Sequence, residues 1–460
     1  MHLGNSAPSS GSRTHGSRTV PLPAEIRHWW APAVSRPARH PRGLTKGAPD
    51  MSTTEGAPPV DSNVVRQLLL FDPFDPEFRA DPHRVYREIR ESGPVTATPG
   101  GLWLVSGHRQ VSAVLRDQAF GWGEAELAAG HFTTDDEGNT VRPLTFADPP
   151  EHTRIRSLVT SAFSARIVER LRPRAQELAR ESLAAALAGG GSADVIQQVA
   201  YPLTGRLLCE LLGVDPEYQE RFRAWAEAMG RGLDPDFMQS PDQLARREEA
   251  RAHFHEYFAE LAARRRAEPG DDLVSALVAV EQEGDRLTAT ELVVTCTLLL
   301  SAGYATTVHL IGNGMLALLE NPDQLAWLRA NPGRVGDAVE EVLRFDGPIQ
   351  LVSRVALRDT EVDGHAVAAG SPVLLLLAAA NRDPAVFDDP DRLDVSRKPG
   401  RNLGFGVGIH FCLGAPLARL TAQAALSLLV EHELVLDGPR PAPTGSLVLR
   451  GLAELPLRSA

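Results

Sequence analysis

The stretch Gly404–Gly414, GFGVGIHFCLG, puts four glycines, two phenylalanines, a histidine and a cysteine into eleven residues. Three chemistries set bare backbone beside a reactive side chain: a phosphate cradle, a cysteine nucleophile and a metal thiolate. Gly404, Gly406 and Gly408 alternate, but Ile409 stands where a dinucleotide fingerprint needs its third glycine, and no Lys-Ser/Thr pair follows for a phosphate loop. A nucleophile needs a base. His410 lies two residues before Cys412, on the same face of an extended chain, although no third group to orient it is evident.

A thiolate on a metal accounts for more of these residues at once. Pro416 suits the first turn of a helix running through PLARLTAQAALSLLVEHEL, so Cys412 sits at a helix start. Backbone N–H groups and the helix dipole there favour the thiolate and lower its pKa. Gly406, Gly408 and Gly414 let the loop lie flat against a broad planar ligand, while Phe405 and Phe411 keep water from the sulfur. Porphyrin iron with one protein thiolate meets these demands. The plain alternative is a buried structural thiol.

The remaining composition sets the class. A chain of 460 residues with 43% hydrophobic and 23% charged residues can fill a large interior. Cys209, Cys296 and Cys412 are too few and too far apart for a disulfide framework or a C-x-x-C metal site, so a cytoplasmic location is expected. Met1 to Asp50 carries seven basic and two acidic residues, which leaves −17 on the rest of a chain of net charge −12. That acidic body argues against nucleic acid as a partner. The first block, rich in Ser, Pro, Gly and Arg, reads as a disordered extension over 1–60, with Met51 as an alternative start and residues 61–460 as the working domain. Its prolines argue against a transit-peptide helix.

Helical spacing covers Arg166–Gly190, Gln243–Glu268 and Pro416–Leu434. Strand-like runs such as GLWLVSG and SPVLLLLAAANRD are few, so the fold class is mainly α with a small β portion. Phe120–Pro143 reads as a long loop. Leu292–Leu319 has no formal charge over 28 positions and is long enough to span a bilayer. Its polar residues, its glycines, the Thr288/Glu291 capping box and the Asn321-Pro322 stop instead predict a helix buried in protein, with no membrane as partner.

FGVGIHFCLG resembles the haem-binding loop of the cytochromes P-450, thiolate-haem monooxygenases, here of the soluble bacterial type. The resemblance runs in order from about Phe71 to Pro456. EVLR, with Glu341 and Arg344, is similar to the family's Glu-x-x-Arg pair, and Arg392 in DDPDRLD to the arginine that completes its ion network. In DPPEHTRIRSLV, Asp148 can cap a helix with Pro149 first and Glu151 closing the capping box, which sets His152 and Arg156 on one face. The resemblance implies that His152, Arg156, Arg354 and His410 bind haem propionates, that Phe405, Gly406 and Gly414 border the porphyrin, and that Cys412 is the metal ligand. It further implies haem b lying between a long central helix and the cysteine-loop helix.

The implied activity is insertion of oxygen from O2 into a small organic substrate, or its oxidative coupling, in secondary metabolism, with electrons from a ferredoxin and its reductase and with a carrier protein as one way of presenting the substrate. AGYATT, Ala302–Thr307, is similar to the family's oxygen-activating segment, with Thr306 as catalytic residue; Ala305 stands where an acid usually precedes it and cannot relay a proton. A mid-helix threonine bonded to its own backbone is the plain reading. Gly121–Thr145, Arg221–Ser240, Leu299–Thr306 and Ile349–Val352 are expected to line the substrate pocket, with Trp122, Phe132, Trp225 and Met229 among them. Arg401 and Arg419 are expected on the electron carrier's docking face. Two rivals stand beside this reading: a haem-binding sensor or recruitment module with catalysis lost, and a cysteine hydrolase using Cys412 and His410.

Overall fold

A computed structural model describes residues 62–123, 132–135, 137–163, 165–188, 192–280 and 285–460. The expectations for residues 1–60 lie outside these. In chain order, the helices that position the site are α1 (His108–Arg116), α2 (Glu151–Ala162), α3 (Arg172–Leu187), α4 (Tyr201–Leu212), α5 (Gln219–Arg231), α6 (Pro241–Ala267), α7 (Ala289–Glu320), α8 (Val335–Asp346) and α9 (Ala415–Glu431).

The uncharged run is α7. Its first turn is closed as the sequence requires: Glu291 N–H donates to Thr288 Oγ1 at 3.2 Å, and Thr288 N–H to Glu291 Oε2 at 2.8 Å. It stops at Asn321, before Pro322. Helices α4, α5, α6, α8 and α9 all pack on it, which explains the missing charges: apart from the face around Ala302 that borders a cavity, its middle is covered by protein. It is long and apolar enough to cross a membrane, but its most apolar stretch is 72% buried inside the protein.

The long helix expected over Arg166–Gly190 is instead two. A short one covers Ala165–Arg170 and α3 restarts with Pro173 in its first turn, because proline has no N–H to give and its ring blocks the carbonyl four residues back. Five strands form a mixed sheet: β1 (Val95–Ala97), β2 (Trp103–Val105), β3 (Phe120–Gly121), β4 (Val352–Ala356) and β5 (Pro372–Leu375), in the order β1-β2-β5-β4-β3. Only β2 and β5 are parallel. GLWLVSG thus supplies β2, whereas SPVLLLLAAANRD divides into β5 and a helical turn, Leu377–Ala380.

The segment expected as one loop from Phe120 to Pro143 begins in β3 and carries a hairpin, Thr133–Thr134 with Thr140–Val141; residues 124–131 and 136 lie outside the described set. The main apolar core surrounds α7, and two smaller ones flank the sheet. The site lies where these cores meet.

Candidate active site

The cysteine loop is folded by its own backbone. Cys412 N–H donates to the Phe405 carbonyl at 3.0 Å, and a 3-10 turn covers Gly408–His410 just before α9 begins, with Pro416 in its first turn. Gly406 has φ +67° and a side chain built there would meet no atom within 4 Å, so it faces open cavity; one on Gly414 would lie 4.0 Å from the sulfur. Gly408, expected against the planar ligand as well, serves another purpose: at φ +78° its bare Cα lies against the Leu115 carbonyl of α1, where a Cβ would collide.

Burial pushes the Cys412 thiol up, against the N–H groups of Gly414 and Ala415 and the charges of Arg156 and Arg419 that pull it down. The expected lowering is therefore outweighed by desolvation in the protein alone, and a bound metal cation would reverse it. The hydrolase arrangement is absent. Because the chain turns rather than extends before Cys412, the His410 ring lies against His152, ring centres 4.4 Å apart, and among the described residues no hydrogen bond joins His410 to Cys412.

Four basic groups converge beside the loop. Arg354, on β4, is only 6% exposed and donates through Nη1 to the carbonyl of Ser353 at 2.7 Å; Arg156, on α2, donates to the Phe411 carbonyl at 2.7 Å. His152, one turn earlier on α2, is buried with neither ring nitrogen partnered. Burial pushes Arg354 down to about 10 and, with the charges of Arg354, His152 and Arg156, His410 down to about 3; burial and Arg156 lower His152 too.

Among the described residues none of the four pairs with a carboxylate. Asp148, the one acid that acts on His152 and Arg354, is committed elsewhere: it accepts from Trp122 N–H at 2.9 Å and Gly123 N–H at 2.6 Å. That also corrects the expected capping box, since α2 starts at Glu151 without a side-chain cap and only the Asp148 carbonyl accepts from His152 N–H. Buried cations and orphan nitrogens without an anion are costly unless a ligand supplies one. The carboxylates of haem have that charge, and Cys412 lies in the same cavity wall as Arg156, Arg354 and His410.

Behind the loop, Glu341 and Arg344 of α8 form a buried two-pronged pair at 2.7 and 2.8 Å. The third member is not the Arg392 side chain, which is exposed. Arg392 gives its backbone carbonyl to Arg344 at 2.9 Å, and Arg397 meets Glu341 at 3.3 Å. Arg344 also reaches the carbonyls of Asn381 and Pro390, so the pair ties α8 to the chain leading into the cysteine loop.

A cavity of about 460 Å³ lies between this loop and α7. Its α7 wall holds Leu299, Ala302, Gly303, Thr306 and Thr307, and all four segments expected to line it contribute. Trp122 is among the lining residues. Trp225 and Met229 instead pack onto the main core, and Phe132 lies under Arg142. Missed altogether were Leu207, Leu208 and Leu211 on α4, although the leucine spacing of LTGRLLCELL was a signal of one apolar helix face. Thr306 Oγ1 donates to the Ala302 carbonyl at 2.7 Å, the self-bonded state of a mid-helix threonine. Ala305 is 4% exposed and lies beside Gly230 of α5 rather than in the cavity wall. Arg419 stacks on Phe405 at 4.5 Å and pairs with Glu340 at 2.5 Å, which removes it as a free docking charge; Arg401 stays exposed.

Comparison with known proteins agrees with this geometry. The family model for cytochrome P450 matches residues 99–439. The chain is 40% identical over 408 residues to the cytochrome P450 monooxygenase PikC of Streptomyces venezuelae, covering 83% of this chain and 92% of that protein. It is 38% identical to the 6-deoxyerythronolide B hydroxylase of Saccharopolyspora erythraea, over 83% and 96% of the two chains. Among solved structures, P450BioI in complex with an acyl carrier protein ligated to hexadec-9Z-enoic acid superposes with a TM-score of 0.76 at 33% identity, over 84% of this chain and 99% of that one. Matches of this extent, with a cavity that sets basic groups lacking a carboxylate partner beside one thiol, make the chain a member of the cytochrome P450 family, a haem b monooxygenase.

Proposed function

We propose that this enzyme oxidises an apolar small molecule of secondary metabolism with O2, with Cys412 sulfur as the protein ligand of haem iron. His152, Arg156, Arg354 and His410 hold the haem carboxylates, while Phe405, Gly406 and Gly414 border the ring. The observation that carries this reading is the cavity itself: one continuous space has Cys412, Arg156, Arg354 and His410 on one side and aliphatic side chains of α4 and α7 on the other. Haem, when bound, supplies O2 activation, and a thiolate ligand favours O–O cleavage by donating electron density.

The chain's own residues do the rest. Leu207, Leu208, Leu211 and Leu299 exclude water and orient an apolar substrate by shape. Thr306 contributes a hydroxyl to the α7 wall; turning away from the Ala302 carbonyl frees its proton for a cavity acceptor. Ala305 holds no proton and faces α5, so the second donor is water, the substrate or another residue of the cavity. Glu341, Arg344 and Arg397 fix the loop behind the sulfur.

Electrons come from a ferredoxin and its reductase in the cytoplasm, and residues 61–460 form the working domain. The names of two similar proteins, one a hydroxylase of 6-deoxyerythronolide B and one crystallised with a carrier-bound fatty acid, support substrates that are macrolactone-like or presented on a carrier protein. Reconstitution with ferredoxin, reductase and ¹⁸O₂ tests the reading. A ligand that displaces water from iron, read as a Soret shift, should yield product bearing one labelled oxygen atom. Stoichiometric haem with no turnover of any such ligand under any electron donor or peroxide would favour the sensor reading, and turnover to an unlabelled product would favour oxidative coupling.

A further inference from the structure

Trp122 has no part in the sequence-based account of the cofactor, where it counted only as a pocket residue. It is 6% exposed, it lines the cavity, and its indole Nε1–H is buried without a partner. An unpaired buried donor of this kind is costly unless something accepts from it. The register of the sheet places it. Gly121 of β3 pairs with Val355 of β4, so the next residue, Trp122, lies beside Arg354, and the Arg354 guanidinium carbon is 5.3 Å from the centre of the indole ring. Phe146 packs edge-on against that ring, centres 4.8 Å apart.

The backbone beneath is pinned. Asp148 accepts from Trp122 N–H and Gly123 N–H, and Gly121 lacks a side chain where one would strike the Asp148 carboxylate. Asp148 lies three residues before the start of α2, which carries His152 and Arg156, and its carbonyl accepts from His152 N–H. One acid therefore ties Trp122 to the same element as two of the basic groups. Each imidazole and guanidinium gathered here can donate and none is an anion, and the indole N–H adds a further neutral donor to the set.

We propose that Trp122 is a fifth holder of the haem carboxylates, donating its indole N–H to one of them while its ring covers Arg354, and that Asp148 is the positioning residue that sets it there. The inference rests on haem being the ligand of this cavity. Trp122 acts on retention and placement of the cofactor, not on the reacting atoms. A buried hydrogen bond to a charged acceptor is worth roughly a tenfold change in an equilibrium or more.

The test uses the haem-loaded protein. Trp122→Phe keeps an aromatic cover on Arg354 but removes the N–H. It should release haem to excess apomyoglobin about tenfold faster than the unaltered chain, shift the propionate bending band in the resonance Raman spectrum, and keep the thiolate-type spectrum of the reduced carbon monoxide complex. Asp148→Asn should move the same two readouts less. A second measurement needs no variant: the ultraviolet Raman marker of indole N–H bonding should shift towards the bonded form when haem is added to the haem-free chain. Unchanged haem release, or an indole marker that does not respond to haem, overturns the proposal while leaving the enzyme class intact. A chain that takes up no haem overturns both.

Discussion

The two sides of the cavity are built on opposite principles. On the cysteine side, His152, Arg156, Arg354 and His410 gather basic groups and donors that pair with no carboxylate among the described residues, braced by a buried Glu341–Arg344–Arg397 cluster. On the α7 side the wall is leucine, alanine and glycine interspersed with threonine, and the Thr306 hydroxyl is bonded to its own helix. Polar groups in a dry site specify a partner atom by atom, because each one left unpaired is expensive; an aliphatic wall specifies only volume and shape. The first side therefore names its ligand and the second names a class.

The sharpest way to break this contrast is at the brace. Glu341→Ala leaves Arg344 and Arg397 around an empty position and should cost about 3 to 5 kcal/mol, with most of the protein recovered unfolded or without haem; denaturant unfolding of any soluble fraction checks it. Next comes the cluster. Arg354→Met should weaken haem retention by about 3 kcal/mol, or roughly 100-fold, measured by haem transfer, yet leave the volume of the α7 side unchanged.

A pH experiment separates the cavity from the rest of α7. Burial and Arg231 lower His309 from 6.5 to about 4, so the folded protein keeps it neutral while the unfolded chain takes up a proton. Stability is then lost as pH falls from 6.5 towards 4, by about 2 kcal/mol at pH 5. His309→Gln should flatten that slope in thermal unfolding series at pH 7 and pH 5, without altering which ligands bind.

Smaller effects belong to the aliphatic side. Leu208→Phe should change the range of molecules that shift the Soret band, with haem retention within twofold of the parent. Thr306→Val should alter stability by less than about 1 kcal/mol, since its hydroxyl bonds only to Ala302, while the ratio of product to electrons consumed falls. Equal losses of haem from Leu208→Phe and Arg354→Met would erase the distinction between the two sides.

What was legible in the sequence follows the range of each interaction. The cysteine loop, the Thr288/Glu291 capping box, the charge-free α7 and the helix opened by Pro416 are local patterns, and each stands where its spacing put it. Choices between distant partners were not legible. Nothing near Glu341 distinguishes Arg392 from Arg397, because which of them turns inward depends on the path of the chain after Pro390. Asp148 looked like a helix cap because caps are local, and only the approach of the Gly121–Gly123 backbone gives it a different task. The α4 leucines form an apolar stripe that fits a core as well as a cavity wall, and packing alone decides between them.

The most direct test of the central assignment is the spectrum of the reduced carbon monoxide complex in the parent chain and in Cys412→Ser. Sulfur ligation predicts a red-shifted Soret band in the parent that is lost in the variant, together with substrate oxidation. The same red-shifted band in both proteins would contradict it, and with it the roles given to every residue around the loop.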